Sequence, residues 1–251
     1  MRLAELTSPA LAALVTGGRP VVALVPVGST EPHGPHLPLA TDVIISDAAC
    51  ARAIAGLDAA GLAAVIAPAV PYGVTECASG FAGAVSVPAE VLTAYLGAVA
   101  DGLLAQGLAH VCLVNNHLEP AHDAAVRAVA AGEARAGRVS VACPLTRRWA
   151  RTLSAEFKSG ACHAGRYETS IVQASAPALV DDAARVALPE VPISLSEQLR
   201  AGVTTFAAMG MDRAYAGAPA AATSTEGEEQ LARLAEMIVT EVREALASRS
   251  P

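Results

Sequence analysis

The sequence predicts an α/β fold, a single three-layer α/β/α domain over residues 1–251 with a mostly parallel sheet. Three observations predict it. Short apolar runs alternate with longer helical stretches, the order that βαβ units produce. The chain has 251 residues, a length that suits one large domain better than two small ones. Hydrophobic residues are 53% and charged residues 16%, so a sizeable core can form and the chain is not a disordered one.

The elements follow in order. The stretch after Thr7 reads as a helix capped by Ser8, with Pro9 in its first turn and an end at Gly17-Gly18. Residues 20–27, PVVALVPV, are a continuous apolar run, the mark of a strand buried on both faces. An alanine-rich helix is expected over 43–58 and a second strand over 63–70, AAVIAPAV. Pro88 opens a helix over 88–106, and HVCLVN at 110–115 makes the third strand. A helix over 121–135 leads to RVSVAC at 138–143, the fourth strand. Residues 146–180 read as helical around a loop at Gly160–Gly165, and shorter elements follow Pro189. A long terminal helix is expected over 226–248 with Thr225 as its cap, preceded by a surface loop, AGAPAAATST, at 216–225.

Composition excludes several functions. Lys and Arg number 17 against 24 Asp and Glu, a net charge of −7, which argues against a binder of phosphate backbones. Aromatic residues are 3% with one tryptophan, Trp149, so base stacking on single-stranded nucleic acid is not expected. The longest uncharged runs, 59–75 and 102–118, are broken by Pro and Gly or end in Asn-Asn-His, so no membrane span is expected. The N-terminus, with Glu5 and a short apolar stretch, does not read as an export signal. The five cysteines, at 50, 77, 112, 143 and 162, form no CxxC and read as reduced thiols of a cytoplasmic protein. No GxGxxG or GxxxxGK[ST] follows a strand, which argues against a nucleotide-binding α/β protein.

The polar residues concentrate where open parallel sheets build sites, beyond the carboxyl ends of strands. Strand 20–27 runs into Glu31, His33 and Asp42, and strand 110–115 into His117 and Glu119. In an extended loop residues i and i+2 point the same way, so each Glu/His pair can face one cavity. Mixed imidazole and carboxylate donors suit Zn²⁺, Mn²⁺ or Fe²⁺, and these five ligands with one bridging carboxylate suffice for two ions. Pro26, Pro32, Pro35 and Pro38 stiffen the first loop. One such pair alone would more often cap a loop or a helix end; two pairs and Asp42 favour metal. His110 and His122 are expected to be non-catalytic. Cys162 is not expected to be a thiolate nucleophile, and Cys77 is as compatible with lining the pocket as with packing. Arg147, Arg148 and Arg151 read as a solvated helix face.

Four segments carry a resemblance. PVGSTEPHGPHLPLATD at 26–42 resembles the GSxExHGxHLPxxTD signature of the creatininase family of amidohydrolases. NNHLEP at 115–120 resembles its NGHYEN segment, and CHAGRYETS at 162–170 its HAGxxETS segment. YGVTECASGFAGAVSV at 72–87 is similar to the family's loop after the second strand. The likeness runs from about residue 5 to 175 and is loose over the last seventy residues.

The resemblance implies roles. Glu31, Asp42 and His117 would hold one metal ion; His33, Asp42 and Glu119 would hold a second, with Asp42 bridging. His163 would be a catalytic acid/base, and Glu168 a site carboxylate that shares in proton transfer. His36 would be structural. Two divalent ions (Zn²⁺, Mn²⁺ or Fe²⁺), a small-molecule amide substrate and a homo-oligomer, often a hexamer, are further implications. The sequence departs from the family pattern at Pro32, where glutamine is common, and at Asn116, which replaces a glycine. Creatinine-hydrolysing members place tryptophans around the substrate, and this chain has only Trp149. The implied activity is hydrolysis of a cyclic or linear C–N amide bond by a metal-activated water. Alternatives are a peptidase acting on a short peptide such as the mycofactocin precursor, a formamide hydrolase, and a non-catalytic small-molecule binding protein.

Overall fold

A computed structural model describes residues 1–248, and the last three positions of the expected 1–251 domain lie outside them. The elements are α1 (Ser8–Thr16), β1 (Val21–Val27), α2 (Thr41–Ala59), β2 (Ala63–Ile66), α3 (Ala89–Ala105), β3 (His110–Asn115), α4 (Pro120–Ala131), β4 (Val139–Ala142), α5 (Arg147–Ala150), α6 (Ala155–Ser159), α7 (Arg166–Ser175), α8 (Asp182–Val186), α9 (Leu195–Arg200) and α10 (Ser224–Ala247). The four strands pair in parallel in the order β2-β1-β3-β4. The sheet reverses its winding between β1 and β3, so the loops after these two strands open a crevice at its carboxyl edge.

The apolar runs explain the layers. Every residue of β1 and β3 is buried, because each strand is covered on both faces. Alternate strand residues feed two cores. Val22, Leu24, Cys112 and Val114 pack against α2, α7 and α10 through Ile45, Ile171 and Ile238. Val21, Ala23, Val25, Val111 and Leu113 pack against α3 and α4 through Leu92, Leu96 and Val126. A smaller cluster, including Cys77, Phe206, Met209 and Met211, sits apart from both. Among the described residues no helix is long and apolar enough to cross a membrane.

Several boundaries differ from expectation for local reasons. Thr7, not Ser8, caps α1: its hydroxyl accepts from the Ala10 amide, and Ser8 is already helical. Thr223, not Thr225, caps α10 by accepting from the Glu226 amide. In both cases neighbouring hydroxyls compete, and the one with extended backbone wins. β2 stops at Ile66 because Pro68 lacks an amide donor, and only a bridge between Val27 and Val70 continues the pairing. α4 ends at Ala131, before Gly132, and residues 133–135 form a 3-10 turn. The 146–180 region is four short helical pieces rather than one, since Gly160 takes φ of +84° and ends α6.

Candidate metal centre

The loop after β1 brings Glu31 and His33 over the edge of the sheet, and α2 begins at Thr41 so that Asp42 lies in its first turn. Asp42 was expected on a loop. At a helix N-terminus its buried carboxylate is favoured by the helix dipole, and it also accepts from the Ser29 amide at 3.2 Å. Gly28 makes this approach possible: a Cβ there would lie 2.7 Å from the Asp42 Cβ. His117 arrives on the loop after β3. Asn115 clamps that loop, accepting from the His117 amide and donating to its carbonyl, both at 3.0 Å. His163 and Glu168 come from the turn into α7, where Ala164 takes a left-handed φ of 51° and donates its amide to Glu168 Oε2 at 2.6 Å.

Three imidazoles share one arrangement. His33 Nδ1 is 3.1 Å from the Glu31 carbonyl, His117 Nε2 is 2.7 Å from the Val74 carbonyl, and His163 Nε2 is 3.0 Å from the Pro32 carbonyl. A carbonyl can only accept, so each of these nitrogens carries the proton and donates. The other nitrogen of each ring turns into the acidic cluster, where it offers a lone pair whenever the ring is neutral. His117 Nδ1 is 3.0 Å from Asp42 Oδ2 and 3.2 Å from Glu31 Oε1. His33 Nε2 is 3.2 Å from Asp42 Oδ1 and 3.6 Å from Glu168 Oε2, yet it is buried without a hydrogen bond. Buried imidazole nitrogens and carboxylate oxygens that converge on one point, with His33 Nε2 left without a hydrogen bond, fit a divalent cation.

Among the described residues three groups have ligand atoms mutually within 4.8 Å: Glu31, Asp42 and His117; His33, Asp42 and Glu168; and Glu31, His33 and His163. All six residues are buried. Burial disfavours charge on His33, but Asp42, Glu168 and Glu31 outweigh it and raise its pKa to about 10. Burial would raise Glu31, but His117 lowers it to about 2. Burial raises Glu168 to about 8, and burial with the neighbouring His33 charge lowers His163 to about 4. The cluster thus attracts positive charge to its centre and keeps His163 neutral.

The structure therefore brings together Glu31, His33, Asp42, His117, His163 and Glu168, but not Glu119. Its Oε1 accepts from the Glu76 amide at 3.1 Å and its Oε2 from the Cys77 amide at 3.0 Å. This binds the carboxylate to the 72–87 loop, beside the cluster rather than in it. Burial raises the pKa of Glu119. Glu119, Cys77 and Cys162 line the same cavity as Glu31, Asp42, His117, His163 and Glu168.

The remaining histidines serve the scaffold. His36 Nε2 is 2.8 Å from Thr169 Oγ1, tying the first loop to α7. His110 bonds Ser140 and the Gly137 carbonyl. His122 is more informative, because its Nδ1 accepts from the Val74 amide and its Nε2 donates to Asn115 Oδ1 at 3.1 Å. It thereby holds both groups that fix His117. Gly73 leaves room for this ring, since a Cβ there would lie 2.3 Å from His122 Nδ1. His122 was not singled out from sequence as part of the site, and of the cavity wall only Glu119 and Cys77 were.

The model of the family described as creatinine amidohydrolase matches residues 4–242. The chain belongs to the creatininase family. Curated relatives include the mycofactocin precursor peptide peptidase of Mycobacterium tuberculosis (strain ATCC 25618 / H37Rv), 34% identical over 227 residues, covering 87% of this chain and 83% of that one. The peptidase of the same name from Mycolicibacterium smegmatis is 33% identical over 215 residues, covering 84% and 80%. Similar solved structures include a creatinine amidohydrolase at TM-score 0.73 and 22% identity, covering 97% of each chain. A creatininase described as Mn has TM-score 0.70 and 23% identity, covering 97% of this chain and 98% of that one. The creatininase-family resemblance of the four segments therefore holds over nearly the whole chain, and the protein is a metal-dependent amidohydrolase of that family.

Proposed function

We propose that the protein hydrolyses a C–N amide bond of a short peptide at a centre of two divalent ions, held by Glu31, Asp42 and His117 on one side and by His33, Asp42 and Glu168 on the other. The observation that carries this reading is the orientation of Asp42, whose Oδ2 faces His117 and whose Oδ1 faces His33. A carboxylate divided between two ligand sets suits a bridging role. Glu168 takes the place that the family resemblance gave to Glu119. Bound there, the ions supply an activated water and polarise the amide carbonyl. Mn²⁺ or Zn²⁺ suits the donors, and the names of two related structures print Mn and Zn-Zn.

The chain's own residues do the rest. His163 keeps Nε2–H on the Pro32 carbonyl and turns Nδ1 inward, placed to take up a proton. Glu119, fixed by two backbone amides at the cavity wall, is placed to hold a proton on its carboxyl and deliver it to the leaving nitrogen. The cavity holds about 550 Å³ and its lining is mainly apolar, a size suited to a short peptide. Trp149 is buried in the core, with Nε1 on Glu241 at 2.6 Å, and does not line that cavity. The relatives named as peptidases support the peptide reading over creatinine.

Metal content per chain, measured by plasma mass spectrometry on untagged protein purified without chelator, tests the centre. Two divalent ions per chain are expected. None after addition of Mn²⁺ or Zn²⁺ would overturn the reading and favour a binding protein. A panel of creatinine, a formamide and short peptides then tests the substrate, with turnover of the peptides expected.

A further inference from the structure

The cavity beside the ligand cluster carries one cation with no carboxylate partner among the described residues. Much of its wall is apolar, with Leu118, Leu145, Leu195, Leu199 and Phe206, and its carboxylates are Glu119 and Asp123. Two guanidinium groups share this wall. Arg127, on α4, is matched by Asp123 one turn earlier, Nε to Oδ2 at 2.7 Å. Arg200, the last residue of α9, rests only on the Ser196 hydroxyl at 3.2 Å, and among the described residues it has no carboxylate partner. It shares the short helix with Leu195 and Leu199 of the apolar wall. The carboxylates of the floor are opposed by the imidazoles and by the ions proposed there, Asp123 is paired with Arg127 and Glu119 is held by two backbone amides, so no carboxylate of the cavity is bonded to Arg200. A complementary ligand has an apolar body and an anionic end.

We propose that Arg200 is a substrate-binding residue that pairs with a carboxylate of the substrate, so that the enzyme prefers short peptide or acyl-amino-acid amides bearing a free carboxylate beyond the scissile bond. This deepens the amidohydrolase reading and rests on it for the position of the scissile bond. A guanidinium offers a carboxylate two parallel N–H donors, and an ammonium does not, so the side chain gives selectivity as well as affinity. The Ser196 hydroxyl, one turn away, orients the fork.

The test uses a matched pair of probes, N-acetyl-alanyl-leucine and its C-terminal carboxamide, titrated calorimetrically into Mn²⁺-reconstituted protein. The wild type is expected to bind the acid at least about tenfold more tightly than the amide, as a charge-assisted hydrogen bond would give. R200Q is expected to lose that preference while keeping its metal content and melting temperature, because the side chain is exposed. R200K is expected to keep part of it. Equal binding of both probes by the wild type, binding of neither, or a preference that survives in R200Q would overturn the proposal. Survival in R200Q would instead place the carboxylate on the metal centre. Metal analysis of the same samples separates the two readings. A protein that takes up no Mn²⁺ refutes the metal centre, and its acid-over-amide preference still reports on Arg200.

Discussion

The floor and the wall of the site are built from different kinds of chain. The floor has a local nucleus, in which Glu31, His33 and Asp42 lie within 12 residues, buried and fixed by backbone carbonyls and amides, and His117, His163 and Glu168 join it from two further segments. The wall is assembled from α4, the 72–87 loop and the short helices after β4, and its residues are mostly leucines and a phenylalanine, with two arginines, Glu119 and Asp123 among them. The difference teaches that chemistry and selectivity are encoded separately. The floor must hold donors to a few tenths of an ångström, so it uses helix starts, prolines and clamped loops. In the proposed function the wall supplies shape, the Arg200 charge and the Glu119 proton donor.

Changes in the floor should alter metal content, and changes in the wall should alter substrate binding. The largest effect is expected for Asp42→Ala, which removes the carboxylate shared by both ligand sets. Both ions should be lost and turnover with them, as read by plasma mass spectrometry and a peptide assay. Full metal content in that variant would break the bridging assignment.

Much of this floor was legible in the sequence, and the reason is physical. Short continuous apolar runs rich in β-branched residues and bounded by Gly and Pro signal strands covered on both faces, so β1 and β3 located the carboxyl edge, and the residues just beyond them located the floor. The proposed ligand set was legible less fully. An i, i+2 argument places His117 and Glu119 together, but Pro120 starts α4 immediately after, and the amides of Glu76 and Cys77 capture Glu119 from 43 and 42 residues away. Glu168 reaches His33 only because α7 folds back over the first loop, with His36 and Thr169 joining the two. Such contacts leave no mark in local spacing. The wall at Leu195, Leu199 and Phe206 was invisible for the same reason: those residues read only as short elements after Pro189.

The proposed exchange of Glu119 for Glu168 gives the next prediction. Glu168→Gln should lower metal content from two ions toward one. Glu119→Gln should keep both ions and lower kcat by about 10²- to 10⁴-fold, the usual worth of a positioned proton donor. The opposite pattern, with ions lost from the Glu119 variant, would return Glu119 to the ligand set.

A smaller effect is expected one layer further out. His122→Ala removes the donor to Asn115 and the acceptor for the Val74 amide, leaving the two groups that hold His117 less fixed. Metal affinity should fall by about 10- to 100-fold, as for other groups that orient a ligand. Competition titration with a chelating dye measures it. Unchanged affinity would show that Asn115 alone positions His117.

The smallest effect should come from the wall, and it is the sharpest test of the division. Leu199→Ala trims an apolar, half-buried side chain of the cavity without touching any ligand or clamp. Substrate and transition state both lie against this wall, so the loss should be felt equally in each, raising KM and leaving kcat unchanged. Loss of contact worth about one buried methylene corresponds to roughly a fourfold rise in KM. Metal content should stay that of the wild type. If Leu199→Ala instead lowered kcat or released an ion, the wall would be part of the machinery that holds the floor, and selectivity could not evolve there independently of the metal centre.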